Sequence, residues 1–211
     1  MPNIPDSLKK AYKSEKSGNI ILPAARMMYA SLYTATRPSK SETNPKRFQY
    51  SITLLLPTGV DLSVLDKEIE DLFIGNVVEA KRATTKWRKP ILKTAEDASL
   101  AMYAEDYPTL LRMNSKQWQK DGKERPRPDV IDSHGNPVPP EEEPSATYNG
   151  RWCRVSINPY WYPPNDGQPG VSLGLVNAQL LWHDDPLAGG KAKASSDFEA
   201  VEGLEDVEEF A

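Results

Sequence analysis

"YNGRWCRVSINPYWYPPNDGQPGVSLGLVNAQL", residues 148–180, contains two strand-like runs joined by a turn-rich segment. The runs span 150–161 and roughly 171–182, and "PPNDGQPG" between them is typical of a hairpin connection. Side chains alternate across a strand, so the apolar odd positions of the first run are assigned to a core. These positions are Cys153, Val155, Ile157 and Trp161. The stretch therefore predicts a β-hairpin with one buried face.

The even positions of the same run carry rings, a guanidinium and hydrogen-bonding groups. They are Trp152, Arg154, Ser156, Asn158, Tyr160 and Tyr162. Aromatic rings beside cations on an exposed strand are typical of a platform for unpaired bases, and each stacked base contributes about 1–3 kcal/mol whatever its identity. The alternative is that these rings pair with neighbours across the sheet. On the binding interpretation, Trp152, Arg154, Tyr160 and Tyr162 are candidate nucleic-acid contacts.

The rest of the chain predicts further strands and a helix. "ARMMYASLY" (25–33) and "FQYSITLLLP" (48–57) have strand character, with the basic loop "RPSKSETNPKR" between them. "GVDLSVLDKEIEDLF" predicts a helix capped by Asp61 or Ser63. Its apolar stripe consists of Leu62, Leu65, Ile69, Leu72 and Phe73. The 19 prolines favour short strands and loops, so we expect a mainly β fold with one or two helices.

Two basic clusters each contain one tryptophan. The first supplies the candidate contacts Trp87, Arg88 and Lys89. The second supplies Lys116, Trp118, Lys120 and Arg125. Neither region has strong apolar periodicity, which favours a nucleic-acid contact. The alternative for each is a solvated charged loop with one anchoring tryptophan.

The net charge of −4 conceals an acidic C-terminus. Seven acidic residues follow Lys193, leaving 23 acidic and 26 basic residues in the body, a net charge of about +3. We expect one domain over 1–193, with a loosely held arm at 1–19, and a flexible acidic tail at 194–211. The tail could dock on partner proteins or occupy a cationic groove in competition with nucleic acid. The alternative is a solubilising end. The candidate partner-binding residues are Glu205, Asp206, Glu208, Glu209 and Phe210.

The composition argues against several classes of protein. One cysteine and two histidines provide neither a disulfide framework nor a zinc site. The chain lacks the apolar run of a membrane span or signal peptide, so we expect a cytoplasmic protein without metal or cofactor. An enzyme would need a nucleophile with its base, or a phosphate-binding glycine loop. The acidic cluster Glu96, Asp97, Glu105 and Asp106 could bind Mg²⁺ in a nuclease, but such clusters are more often solvated.

Several of these segments resemble a family of bacteriophage single-stranded DNA-binding proteins. The resemblance is clearest from "YNG" through "RVS" and "GLVNAQ" to "PLAGG" (148–190), and "SLYTATRP" and "YSITLLLP" support it. It implies an oligonucleotide/oligosaccharide-binding (OB) fold, a five-stranded Greek-key barrel, here with long loops. It also implies a disordered acidic tail that contacts replication and recombination proteins. Related podophage proteins are expected to end on an aromatic residue, whereas here Ala211 follows Phe210.

Two functions remain open on the sequence. The first is a non-enzymatic, sequence-tolerant binder of single-stranded DNA that acts in phage replication, recombination or repair in the infected cell. It could be a monomer or dimer, and could bind duplex DNA or RNA more weakly. The second is a protein-interaction or virion structural module with a β-barrel core and no DNA affinity. In the second case a partner subunit should cover the even face of 150–161.

Overall fold

The computed structural model describes residues 3–163 and 168–187, which form nine strands and three α-helices. The strands are β1 (Tyr12–Lys13), β2 (Ile20–Ile21), β3 (Ala25–Thr36), β4 (Gln49–Leu56), β5 (Ile91–Lys93), β6 (Thr109–Lys116), β7 (Asp129–Ile131), β8 (Trp152–Tyr162) and β9 (Gly170–Leu180). The helices are α1 (Ser63–Asn76), α2 (Glu79–Arg82) and α3 (Glu143–Ala146). Single turns of 3-10 helix lie at Asp6–Leu8, Pro45–Arg47, Thr94–Glu96, Ala101–Tyr103 and Pro140–Glu142. The predicted tail at 194–211 lies outside the described residues.

Five of the strands close into a barrel. β8 and β9 pair antiparallel from Cys153–Leu180 to Tyr162–Gly170, which confirms the hairpin predicted from residues 148–180. From β8 the sheet continues through β3, β4 and β6, all antiparallel. A parallel pairing of β6 with β9, with Met113 opposite Leu173, then closes the circuit. This closed circuit of five strands confirms the predicted OB-like barrel.

The interior of the barrel is built from alternate residues of its strands. Cys153, Val155 and Ile157 are fully buried, as the parity of β8 predicts, and Trp161 packs against them from the rim. Burial raises the pKa of the Cys153 thiol, so the single cysteine is a core residue rather than a nucleophile. The other strands contribute Ala25, Met27, Leu32, Tyr50, Ile52, Leu54, Leu56, Leu111, Met113, Val171, Leu173 and Leu175.

Helix α1 packs against β8 and β9 through the predicted apolar stripe. Leu65, Ile69 and Phe73 are buried, and Leu62 and Leu72 pack beside them. The side chain of Asp61 accepts a hydrogen bond of 2.9 Å from the backbone N–H of Ser63, one of the unpaired donors of the first turn. The carboxylate of Asp61 therefore satisfies one donor of the first turn, as the sequence predicts, although the N-cap position itself is Leu62 and carries no side-chain cap.

A second apolar cluster covers part of the barrel's outer surface. It contains Ile4, Ala24, Met28, Leu55, Leu100, Tyr107, Leu110 and Trp152. Arg26, buried beside this cluster, forms an ion pair of 2.6 Å with Asp184 and donates a further hydrogen bond to the carbonyl of Asp185. Trp152 Nε1 donates to the same Asp184 carboxylate at 2.8 Å. These contacts bind the segment after β9 to the start of β8.

The N-terminal residues differ from the loosely held arm that the sequence predicts at 1–19. Within the described part of that arm, Ile4 and Ala11 are buried. The backbone N–H of Ala11 donates to the carbonyl of Asp61, and the N–H of Asp61 donates back to Lys9, both at 2.8 Å. Polar, lysine-rich composition suggested a free arm because it could not show these backbone pairings. Residues 3–19 therefore belong to the folded body.

Replacing Asp184 with asparagine should lower the free energy of unfolding at pH 7 by about 1–3 kcal/mol, because the buried Arg26 loses its charged partner. Burial of the Asp184 carboxyl raises its pKa. The hydrogen bonds from Trp152 and the Asp185 backbone, together with the charge of Arg26, outweigh this effect, and the pKa lies below its ordinary value. A lowered pKa gives stabilisation that is present above the ordinary value and is lost as the pH falls through the lowered one.

Urea unfolding of both proteins at pH 7 and at about pH 3 measures this difference. The gap between wild type and Asp184→Asn should be smaller at the acidic pH. Asp6→Asn is the control, because Asp6 forms an exposed ion pair with Lys9, and its removal should change stability little at either pH. An equal loss for Asp184→Asn at both pH values would show that the charge of Asp184 is not what stabilises the fold.

Candidate nucleic-acid interface

A row of small polar residues crosses all five barrel strands on the outer surface. Asn158 on β8 lies opposite Gly174 on β9, and Gly174 lies opposite Asn114 on β6. Asn114 pairs with Ser51 on β4, which pairs with Ser31 on β3. Each of these residues alternates with a buried neighbour, and each is half-buried or exposed. We call this row the polar floor; it offers hydrogen-bond donors and acceptors without bulky side chains.

Tyr160 and Arg88 lie on one side of the polar floor, toward the β8–β9 turn. Tyr160 is 44% exposed, and a Cβ built on Gly174 would lie 3.6 Å from two of its ring carbons, so the ring lies beside the floor. The backbone N–H of Arg88 donates to Pro169 at 2.9 Å, and its carbonyl accepts from Val171 at 3.1 Å. The hydroxyl of Tyr162 lies 2.6 Å from the position a Cβ on Gly170 would occupy. The structure therefore brings the predicted residues Arg88 and Tyr162 together around Gly170, and Tyr160 lies next to them along β8, opposite Ser172.

The second predicted cluster lies on the opposite side of the floor from Tyr160, two residues beyond Asn114 along β6. Lys116, the last residue of β6, is exposed and pairs with Gln49 of β4. The following residues fold into a small hairpin. In it Trp118 and Glu124 form an isolated antiparallel β-bridge, and the backbone N–H of Arg125 donates to the carbonyl of Gln117 at 2.7 Å. Lys120 and Arg125 are exposed, and Trp118 is half-buried. We call residues 116–127 the basic hairpin.

The basic loop 37–47 is not among the contacts predicted from the sequence, although the structure places this loop beside the basic hairpin. Thr36, just before the loop, pairs with Gln49, the neighbour of Lys116. Arg37, Lys40 and Lys46 in this loop are exposed. The signal was present in the sequence as a charged loop between two strands. Only the pairing of β3, β4 and β6 shows which end of the barrel it occupies.

Trp152 was predicted to be a base-stacking residue, and the structure contradicts this. Its side chain is fully buried between Trp182, at 5.3 Å between ring centroids, and the guanidinium of Arg26, at 5.5 Å from the ring. Parity correctly placed Trp152 on the outside of the barrel. It could not reveal the second layer, formed by the segment after β9 and the N-terminal residues, that covers this part of the surface.

Trp87 also differs from the freely stacking residue that the sequence predicts. It stacks on Phe73 of α1 at 4.7 Å and contacts Trp161 at 6.0 Å, while the ammonium of Lys89 lies 5.3 Å from its ring centroid. With Phe73 on its face and Lys89 over the ring, Trp87 serves to attach the segment 87–89 to the helix. Lys89 and Arg88 remain exposed.

Arg154 lies outside the polar floor. Its Nε donates to Gln179 Oε1 at 2.7 Å, and the half-buried side chain lines a cavity nearer the start of β8. Within residues 3–163 and 168–187, no group of three or more His, Cys, Asp or Glu side chains has an arrangement suited to a metal ion. None of the helices described is both long enough and apolar enough to span a membrane.

Solved structures share this architecture. A single-stranded DNA-binding protein from bacteriophage Enc34, determined in complex with ssDNA, aligns with a TM-score of 0.65 at 18% identity, covering 88% of this chain and 97% of that one. A C-terminally truncated form aligns at 0.63 with 19% identity, covering 87% and 96%. The bacteriophage T7 single-stranded DNA-binding protein gp2.5 aligns at 0.55 with 18% identity, covering 82% and 96%. At these identities the likeness establishes the fold.

A family model supplies evidence from the sequence itself. No curated protein matches this chain significantly over its sequence. The model described as "Enterobacter phage Enc34, ssDNA-binding protein", however, matches residues 18–210, from the start of the barrel through most of the acidic C-terminus. The chain therefore belongs to the single-stranded DNA-binding protein family of Enterobacter phage Enc34.

Proposed function

We propose that this protein binds single-stranded DNA without sequence preference, along the polar floor between Tyr160 and the basic hairpin. The observation that carries the proposal is the arrangement of that surface. A row of small polar side chains crosses the barrel, an exposed ring lies on one side of it and exposed cations lie on both sides. Family membership supports the same ligand.

The chemistry of the surface favours unpaired bases over a duplex. A ring such as that of Tyr160 can stack only on a base whose face is free, and the amides of Asn114 and Asn158 can both donate and accept hydrogen bonds whichever base is present. Phosphates would contact the exposed cations on the two sides of the floor. These are Arg88 and Lys89 on one side, and Lys116, Lys120 and Arg125 on the other.

The protein's role would be to coat and protect single-stranded DNA during phage replication, recombination or repair. The family is one of binding proteins rather than enzymes, and we propose that this member has no catalytic activity of its own. It would act in the cytoplasm of the infected bacterium. The acidic C-terminus, with Glu205, Asp206, Glu208, Glu209 and Phe210, would recruit replication or recombination proteins of the phage or host.

Replacing Tyr160 with alanine should weaken binding of a labelled oligo-dT by about 5- to 150-fold, because one stacked base is lost. Fluorescence anisotropy, with matched duplex as competitor, measures the affinity. Met102→Ala is the control, since Met102 is 72% exposed but lies in the 3-10 turn Ala101–Tyr103, beside the second apolar cluster. Unchanged affinity for Tyr160→Ala would place the DNA elsewhere. Absence of binding by the wild-type protein at low salt would overturn the proposed function.

A charge variant in the same assay separates phosphate contacts from stacking. Lys116→Ala should reduce the slope of log K against log salt by about 0.7, the value for one phosphate contact with a single strand. Tyr160→Ala should leave that slope unchanged. Lys67→Ala removes an exposed cation from α1 and is the control for a general effect of charge.

Removing the residues after Lys193 should strengthen binding and extend it to duplex DNA. The tail carries seven acidic residues, and a polyanion attached to a body of about +3 would compete with DNA for the same cations. Affinities of the full and shortened chains for oligo-dT and duplex at low salt measure the effect. A full-length variant with the tail carboxylates replaced by amides should match the shortened chain. Equal affinity of full-length and shortened proteins would contradict self-inhibition.

A further inference from the structure

A second polar depression lies on the outer surface of the barrel, nearer the start of β8. Five strands cross it in the order β1, β2, β8, β9 and β7. Their paired residues form one row: Tyr12, Ile21, Ser156, Asn177 and Asp129. The depression is a cavity of about 390 Å³, walled by the N-terminal strands on one side and by β7 on the other. We call it the Arg154 cavity.

Arg154 is held in place on the floor of this cavity. Its Nε donates to Gln179 Oε1 at 2.7 Å, and Gln179 in turn donates from Nε2 to the carbonyl of Asp132 at 3.0 Å. No described residue accepts a hydrogen bond from the two terminal nitrogens of Arg154 or forms an ion pair with them. A guanidinium fixed through Nε, with its two terminal amino groups free, is suited to binding a phosphate through both.

The other lining residues suit the remainder of a nucleotide. Tyr12 at the rim is 43% exposed, similar to the 44% of Tyr160 on the polar floor. Ser17 and Asn19 contribute polar groups from the turn between β1 and β2, and Ile21 contributes an apolar patch. The carboxylate in the lining belongs to Asp129, on the wall opposite Tyr12. That carboxylate can accept a hydrogen bond from a base amino group but would repel a phosphate, so the phosphate position lies with Arg154.

The Arg154 cavity is continuous with the proposed DNA-binding surface. A neighbouring cavity of about 440 Å³ shares Asp129 and Asn177 with it and is also lined by Ser115, Gln119, Arg125 and Arg127. Ser115 precedes the basic hairpin and Gln119 lies in its first half. Arg125 and Arg127 lie near its C-terminal end. A groove with cationic side chains therefore runs from the hairpin to Arg154.

We propose that the Arg154 cavity is a second subsite for single-stranded nucleic acid, which binds a phosphate on Arg154 and a base against Tyr12. The inference rests on the proposed binding of single-stranded DNA by this protein. A strand that crosses the polar floor to the basic hairpin would continue past Arg125 and Arg127 into this cavity. The N-terminal residues, by folding onto the barrel, thus lengthen the stretch of DNA that one molecule covers.

Oligo-dT length dependence tests the subsite directly. Affinities of the wild type and of the double variant Tyr12→Ala, Arg154→Gln would be measured with oligonucleotides from about 4 to about 16 nucleotides. The ratio of wild-type to variant affinity should rise by about tenfold or more from the shortest to the longest oligonucleotide that binds, because only long strands reach the cavity. For Met102→Ala, which removes an exposed side chain away from both surfaces, the same ratio should not depend on length.

Two results would overturn the subsite while leaving the proposed function intact. They are a ratio that stays at one for every length, and a loss that is equal for short and long strands. Failure of the wild type to bind any oligonucleotide would instead overturn the proposed function itself.

A measurement on unmutated protein excludes an effect of misfolding. Two long oligo-dT strands, one with 5-bromouracil at each terminus, would be irradiated in complex with the protein. One of the two should crosslink to the peptide that contains Tyr12. Crosslinks that never include this peptide would contradict the proposal.

Discussion

The fold and the candidate interface both depend on the two edges of strand β9. One edge pairs with β8 from Gly170 to Leu180. The other edge pairs in succession with the backbone of Arg88, then with β6, then with β7. Gly174 lies between these edges, where a Cβ would come within 2.8 Å of the Asn158 carbonyl. A shift of one residue in β9 would turn its apolar side chains outward. The barrel, the polar floor and the positions of β6, β7 and the Arg88 segment therefore all depend on this register.

The proposed interface would combine weak, sequence-independent interactions rather than one specific pocket. Small side chains on the floor would leave room for bases, the Tyr160 ring would offer a stacking face, and the cations on the two sides of the floor would contact the backbone as it enters and leaves. The body carries a net charge of only about +3, so phosphate attraction alone gives modest affinity. On the proposed function, stacking would then supply much of the preference for single strands, and the acidic C-terminus would compete for the cations.

Local sequence patterns predicted what depends on alternation within one strand. Cys153, Val155 and Ile157 are buried and Tyr160 is exposed, as parity requires. The same rule failed at Trp152, because residues distant in sequence cover the outer surface there. The prediction for Trp87, which rested on the basic cluster around it rather than on alternation, failed because α1 supplies a ring for it to stack on. The Arg154 cavity was equally inaccessible to sequence analysis, since its walls come from strands that pair only in the folded chain. Family resemblance, rather than periodicity, identified the five-stranded barrel in advance.

The most direct test of this account is a crystal structure of the protein bound to an oligo-dT. The account predicts a strand that crosses the polar floor, with one base stacked on Tyr160 and phosphates near Lys116 and Arg125. An oligonucleotide bound on another surface, such as the exposed face of α1, with Tyr160 and the floor left uncovered, would contradict it.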